Sequence, residues 1–109
     1  TAMAATTEAV LFGLSQGVEL KTILDVVNVS TGRNTASLDK FPKRILTETY
    51  DAGFHSALMH KDMQLYQHSA QQAATPNAIG PVIERIWGQV DEALPGSDLT
   101  EIYRFMRDQ

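Results

Sequence analysis

The chain of 109 residues contains no cysteine. It can build no disulfide framework and has no thiolate for nucleophilic or redox chemistry. That absence fits a reducing compartment, and a cytoplasmic location is the expectation. Basic residues are few: 9 lysines and arginines stand against 13 aspartates and glutamates, giving a net charge of −4 and an isoelectric point near 5.2. No basic run occurs, which argues against nucleic acid and anionic membrane as partners. No apolar stretch approaches the roughly 18–20 residues needed to cross a bilayer. No basic segment leads into an apolar one, so no secretion signal is read, and the N-x-S pattern at Asn28-Val29-Ser30 has no glycosylation context. The seven glycines never form G-x-G. A phosphate-cradling strand–turn–helix loop is therefore missing, and the chain cannot hold a dinucleotide by itself in that manner. Neither a G-x-S-x-G elbow nor an alternating run of β-branched residues bounded by turns is found.

What is present is helical periodicity. With 43% hydrophobic residues, the chain is one domain's worth of sequence with material for a single core. Ala2 to Gln16 is apolar on nearly every side (Met3, Ala4, Ala5, Ala9, Val10, Leu11, Phe12, Leu14), with Glu8 its only charge. Such a helix is buried or lies at an interface, and Gly17 is a suitable stop. The pattern starts without an initiator Met, which suggests a fragment of a larger protein. Val18 to Val29 gives a second helix. A third runs from about Arg33 to Leu46 behind Ser30 or Thr31 as N-cap, with Pro42 expected to divide it into two short pieces. A connector over residues 47–53 leads into a long central helix, from Phe54 to about Ala74. Ile79, Val82, Ile83, Ile86, Trp87, Val90 and Leu94 mark the next helix, with Pro81 tolerable in its first turn. Asp98 with Glu101 resembles a capping box before a last short helix. The predicted class is all-α, about six helices around one core.

The central helix carries the main anomaly. At about 100° per residue, Phe54, Leu58, Leu65, Tyr66, Met59, Ala70 and Met63 form a broad apolar arc. Asp62 falls inside that arc and Lys61 at its border. Burying a carboxylate costs several kcal/mol unless it is paired or hydrogen-bonded. Lys61-Asp62 is thus either a structural pair or part of a binding site. Metal binding is not expected. His60 and His68 stand eight residues apart, roughly 12 Å along a helix, too far to share one ion through bonds of about 2 Å. With Gln64, Gln67 and Gln71 nearby, that stripe reads as a solvated face. Ser30-Thr31-Gly32-Arg33-Asn34 reads either as a helix–helix turn or as a polar loop bordering a site, with Arg33 able to hold an anion.

Four stretches together resemble a known family. Gly53-Phe54, Leu58 and Lys61-Asp62-Met63-Gln64-Leu65 fit the G-F-x3-L-x2-K-D-x2-L signature in the C-terminal domain of the β-hydroxyacid dehydrogenases, the 3-hydroxyisobutyrate dehydrogenase-like family. Glu8-Ala9 in a helix ending at Gly17 is similar to that family's interdomain helix. Ser30-Thr31-Gly32-Arg33-Asn34 is similar to its S-x-G-R-x turn, and Asp98 to Tyr103 to its closing D-x-T-x-x-Y segment. The four occur in register over nearly the whole chain. The resemblance implies an all-α domain like the C-terminal domain of 6-phosphogluconate dehydrogenase. In the parent enzyme a Rossmann domain would precede it, and hydride would pass between a small 3-hydroxy acid and NAD or NADP. The catalytic Lys of the family would lie upstream of Thr1, so this piece alone would be inactive. By the same resemblance Lys61 would contact the cofactor. Phe54, Asp62, Ser30 and Gly32 would border the substrate cleft. A homo-oligomer through residues 2–14 is expected from the apolar first helix. The alternative is a non-catalytic helical oligomerisation or protein-interaction module.

Overall fold

The computed structural model describes residues 1–109 and is helical throughout, with no strand. Helix α1 spans Ala2–Ser15 and α2 spans Leu20–Val27. A π-helix follows over Ala36–Ile45. Helix α3 spans Ser56–Ala73, α4 spans Gly80–Ala93, and a 3-10 turn at Leu99–Glu101 leads into α5, Ile102–Arg107. The expectation of about six helices and an all-α class holds. The helices fall into two compact units, Thr1–Ala52 with Thr100–Gln109, and Gly53–Leu99.

In the first unit α1 buries Met3, Ala4, Thr7 and Val10, while Glu8 and Phe12 face outward. Gly17 ends the helix as expected. It adopts φ +86°, and the Val18 N–H reaches back to the Gly13 carbonyl at 3.1 Å, the wrap that glycine allows without steric cost. The π-helix buries Phe41 and Ile45, and Phe41 meets Tyr103 of α5 edge-on, with ring centres 6.0 Å apart.

Two expectations fail in this unit. The cap of the third helix is neither Ser30 nor Thr31 but Asn34, whose Oδ1 accepts the N–H groups of Ala36 (2.7 Å) and Ser37 (3.2 Å). The Ser37 hydroxyl in turn accepts the Asn34 N–H at 2.9 Å, the reciprocal arrangement of a capping box. Nor does Pro42 split the helix, which runs unbroken through it. A proline has no N–H to donate. In a π-register the carbonyl left without its donor is five residues back, at Ser37, and the Asn28 side-chain amide donates to that carbonyl at 2.9 Å.

The second unit is an α3–α4 pair with the 94–99 loop. Its buried centre is Trp87, Val90, Ile83 and Ala70. Only part of the apolar arc expected to pack does so: Phe54, Met59, Met63 and Ala70 turn inward, and the other three do not. Ser56 and Ala70 are buried, and Met59, His60, Met63 and Gln67 are half-buried between them. Leu58, Leu65 and Tyr66 are 43%, 58% and 53% exposed. The cause lies on α4. Gly80 and Gly88 leave notches filled by Gln67 and His60. Small residues let the helices approach closely enough for these polar side chains, rather than the leucines, to fill the seam.

Candidate functional site

The outer face of α3 follows from that packing. Leu58, Lys61, Asp62 and Leu65 lie roughly half a turn away from the His60–Gln67 seam. All four are exposed. The placement of Asp62 inside a packing face is therefore corrected: its carboxylate is in solvent and incurs no burial cost. Lys61 and Asp62 make no ion pair with each other, and the ammonium has no partner within the chain. The result is a solvated cation bracketed by two exposed leucines, with Tyr66 beside them.

His60 is also corrected. Instead of facing solvent, its Nε2 lies 2.7 Å from Oε1 of Glu84, with the two side chains 24% and 29% exposed. His68 is exposed. No group of three or more His, Asp or Glu side chains is placed to hold a metal ion.

Phe54 is half-buried and precedes α3 by two residues. Its backbone is fixed on both sides. The N–H donates to Asp98 Oδ1 at 3.3 Å, and the carbonyl accepts the Leu99 N–H at 2.7 Å. Phe54, Lys61 and Asp62 thus share one unit and one helix with its lead-in. Ser30 and Gly32 belong to the other unit. The Ser30 hydroxyl donates to the Val27 carbonyl at 2.9 Å, closing the end of α2. Gly32 gives its carbonyl to Asn34 Nδ2 at 2.9 Å, and Asn34 Nδ2 also reaches Thr6 Oγ1 at 3.0 Å. Gly32 and Asn34 line an apolar cavity of about 250 Å³ with Ala5, Ala9, Ile23 and Val27.

Tyr50 and Arg104 were not singled out by sequence pattern. Tyr50 adopts φ +49°, a conformation uncommon for an aromatic residue. The Arg104 guanidinium lies over its ring at 4.1 Å, and Arg104 also pairs with Glu101. Burial raises the Tyr50 phenol above its ordinary value, with the Arg104 charge opposing. No residue-type pattern announces such a contact, because it joins positions far apart in sequence.

Comparison with known proteins bears on what these residues serve. Residues 1–106 match the family model described as "NAD-binding of NADP-dependent 3-hydroxyisobutyrate dehydrogenase". The mitochondrial 3-hydroxyisobutyrate dehydrogenase of Rattus norvegicus is 27% identical over 98% of this chain and 34% of that protein. The 3-hydroxyisobutyrate dehydrogenase of Pseudomonas aeruginosa is 30% identical over 96% of this chain and 38% of its own length. A solved structure of the Mycobacterium tuberculosis 3-hydroxyisobutyrate dehydrogenase with L-serine superposes with a TM-score of 0.85 at 18% identity, covering 97% of this chain and 38% of that one. The chain spans about a third of the length of the curated relatives it matches. The match over residues 1–106 places the chain in the 3-hydroxyisobutyrate dehydrogenase family, within the part that family's model describes as NAD-binding.

Proposed function

We propose that residues 1–109 are the single helical C-terminal domain, of the 6-phosphogluconate dehydrogenase type, of an NAD(P)-dependent 3-hydroxyacid dehydrogenase, with a Rossmann domain and the catalytic Lys preceding it. In that enzyme the domain closes one wall of the cofactor and substrate cleft. The observation that carries this reading is Lys61, a cation without an internal partner, set on the outer face of α3 between exposed Leu58 and Leu65.

The donor set suits a nicotinamide nucleotide. An ammonium is a compact donor for phosphate or carboxamide oxygens, and the leucine flanks offer apolar surface to a planar ring. When bound, the nicotinamide accepts or returns the hydride. Lys61 holds cofactor oxygens and adds positive charge near the reacting hydroxyl. That charge would lower the pKa of the neighbouring catalytic Lys, as a base working near neutral pH requires. Asp62, next along the helix, borders the substrate cleft. Phe54 borders the substrate mouth, and covering the site excludes water. Ser30 and Gly32 border the cleft from their loop. Their hydrogen bonds within the chain make that role a matter of shape and backbone rather than of a free hydroxyl.

The test is hydride transfer by the full-length enzyme, followed as NAD(P)H formation with 3-hydroxyisobutyrate as the probe substrate. Activity in wild type that falls sharply in Lys61→Ala supports the reading. Equal turnover and KM in the two proteins remove Lys61 from the site.

A second reading, a non-catalytic oligomerisation or interaction module, draws on α1. Phe12 is 69% exposed, and exposed Ala5 and Ala9 border the apolar cavity. Self-association through residues 2–14 is compatible with both readings, because a dehydrogenase domain can also carry a subunit contact. Light scattering that gives a dimer or larger species, reduced by Phe12→Ser, supports that contact. A monomer at high concentration contradicts it. Hydride transfer by the full-length protein separates the enzyme from the module.

A further inference from the structure

The start of α3 is built on a loop about 45 residues further along the chain. Asp98 Oδ1 accepts the N–H of Gly53 at 2.8 Å and that of Phe54 at 3.3 Å. Two successive N–H groups converge on one oxygen only where the backbone curls. The curl is at Gly53, whose φ of +93° suits glycine and strains other residues. The next links run the same way. The Leu99 N–H donates to the Phe54 carbonyl at 2.7 Å, and the Ser56 N–H donates to the Ser97 carbonyl at 2.9 Å. The buried hydroxyls of Ser97 and Ser56 join at 2.9 Å, and Ser56 Oγ donates to the Asp98 carbonyl at 3.3 Å.

These bonds take the place of a side-chain cap. His55, at the N-cap position, makes no capping hydrogen bond. Where α3 begins is therefore set by residues 97–99. The consequence reaches Lys61, because a slip of one residue in a helix turns every side chain by about 100°. Such a slip would carry Lys61 off the outer face.

We propose that Asp98 is a positioning residue for this face: its carboxylate fixes the Gly53–Phe54 turn, and through it the direction of Phe54 and the register from which Lys61 projects. This rests on the reading of Lys61 as a cofactor contact. The role proposed for Asp98 is positional and needs no contact of its own with cofactor or substrate. The two N–H groups that the Asp98 carboxylate accepts both precede α3, and it is through that turn that Asp98 acts on the reaction.

The test uses Asp98→Ala, Asp98→Asn and Lys61→Ala in the full-length enzyme, with steady-state kinetics against NAD(P) and thermal denaturation of each variant. Asp98→Ala is expected to raise the cofactor KM about tenfold, the scale set by losing a charge-assisted hydrogen bond. Asp98→Asn retains an oxygen that can accept both N–H groups and is expected to stay within about threefold of wild type. A purely structural carboxylate would lower the thermal midpoint yet leave the cofactor KM of the folded enzyme unchanged. An unchanged KM in Asp98→Ala beside a raised KM in Lys61→Ala overturns the proposal. An Asn variant as impaired as the Ala variant also overturns it. Unchanged KM in both Asp98→Ala and Lys61→Ala overturns the reading of Lys61 and this proposal with it. If Asp98→Ala does not fold, Gly53→Ala carries the test. It keeps the carboxylate but strains the turn, and it must raise the cofactor KM; an unchanged value overturns the proposal.

Discussion

The imidazole of His60 on α3 is held to the carboxylate of Glu84 on α4, Nε2 to Oε1 at 2.7 Å. One turn further along α4, Gly88 leaves the space the ring fills: a Cβ there would stand 3.0 Å from that nitrogen. Gly88→Ala requires the ring, held by Glu84, to give by a few tenths of an ångström. The overpacking cost of about 1–3 kcal/mol is expected to exceed the roughly 0.5–1 kcal/mol that alanine gains within a helix, leaving a modest net destabilisation. Denaturant unfolding of wild type and variant measures it. An unchanged midpoint and slope would show that the seam has slack that the geometry does not.

Asn28 substitutes for the donor that Pro42 lacks. Asn28→Ala leaves the Ser37 carbonyl without this donor, and the expected cost is about 1–3 kcal/mol. Asn28→Ala and Pro42→Ala combined should cost less than the sum of the two, because an alanine at 42 restores an N–H that can reach that carbonyl. Strict additivity in a double-mutant cycle would contradict the account of the unbroken π-helix.

Much of this architecture is legible in the sequence. The apolar runs locate each helix, Gly17 marks the stop of the first, and Pro81 sits in the first turn of α4 as its chemistry allows. What misleads is one edge of the packed face of α3: Met59, Met63 and Ala70 pack as the arc requires, but the leucines do not. Periodicity groups Leu58 and Leu65 into an apolar arc but carries no information about the partner. The notches at Gly80 and Gly88 decide that His60 and Gln67 pack instead. The same limit hides the site's supports. Gly53-Phe54 and Asp98 are visible as separate motifs, yet nothing local says that they hydrogen-bond. Two signals point to Lys61 in the sequence: the expected burial of the charged pair, which the fold removes, and the family signature, which does not depend on it. Its candidacy now rests on that signature and on exposure between two leucines.

Tyr50 supplies a pH prediction. Burial raises its phenol pKa above the ordinary value of 10.0, against the opposing charge of Arg104. The folded chain then holds that proton more tightly than the unfolded chain. The contribution to stability is complete below the unfolded value and is lost as pH rises through the folded one. Tyr50→Phe keeps a ring for the guanidinium but has no proton to lose. Its stability is expected to fall less steeply in alkali than that of wild type, measured by denaturant unfolding across that range. Identical alkaline slopes would show that another group governs the loss.

The most direct test of the central claim is calorimetric titration of NAD and NADP into the full-length enzyme, wild type against Lys61→Ala. Lys61 is exposed and makes no contact that folding needs, so the unliganded variant should unfold within about 0.5 kcal/mol of wild type. Cofactor affinity should fall by about tenfold, the equivalent of some 1.4 kcal/mol. Equal affinity in two equally stable proteins would contradict the claim that the outer face of α3 meets the nucleotide.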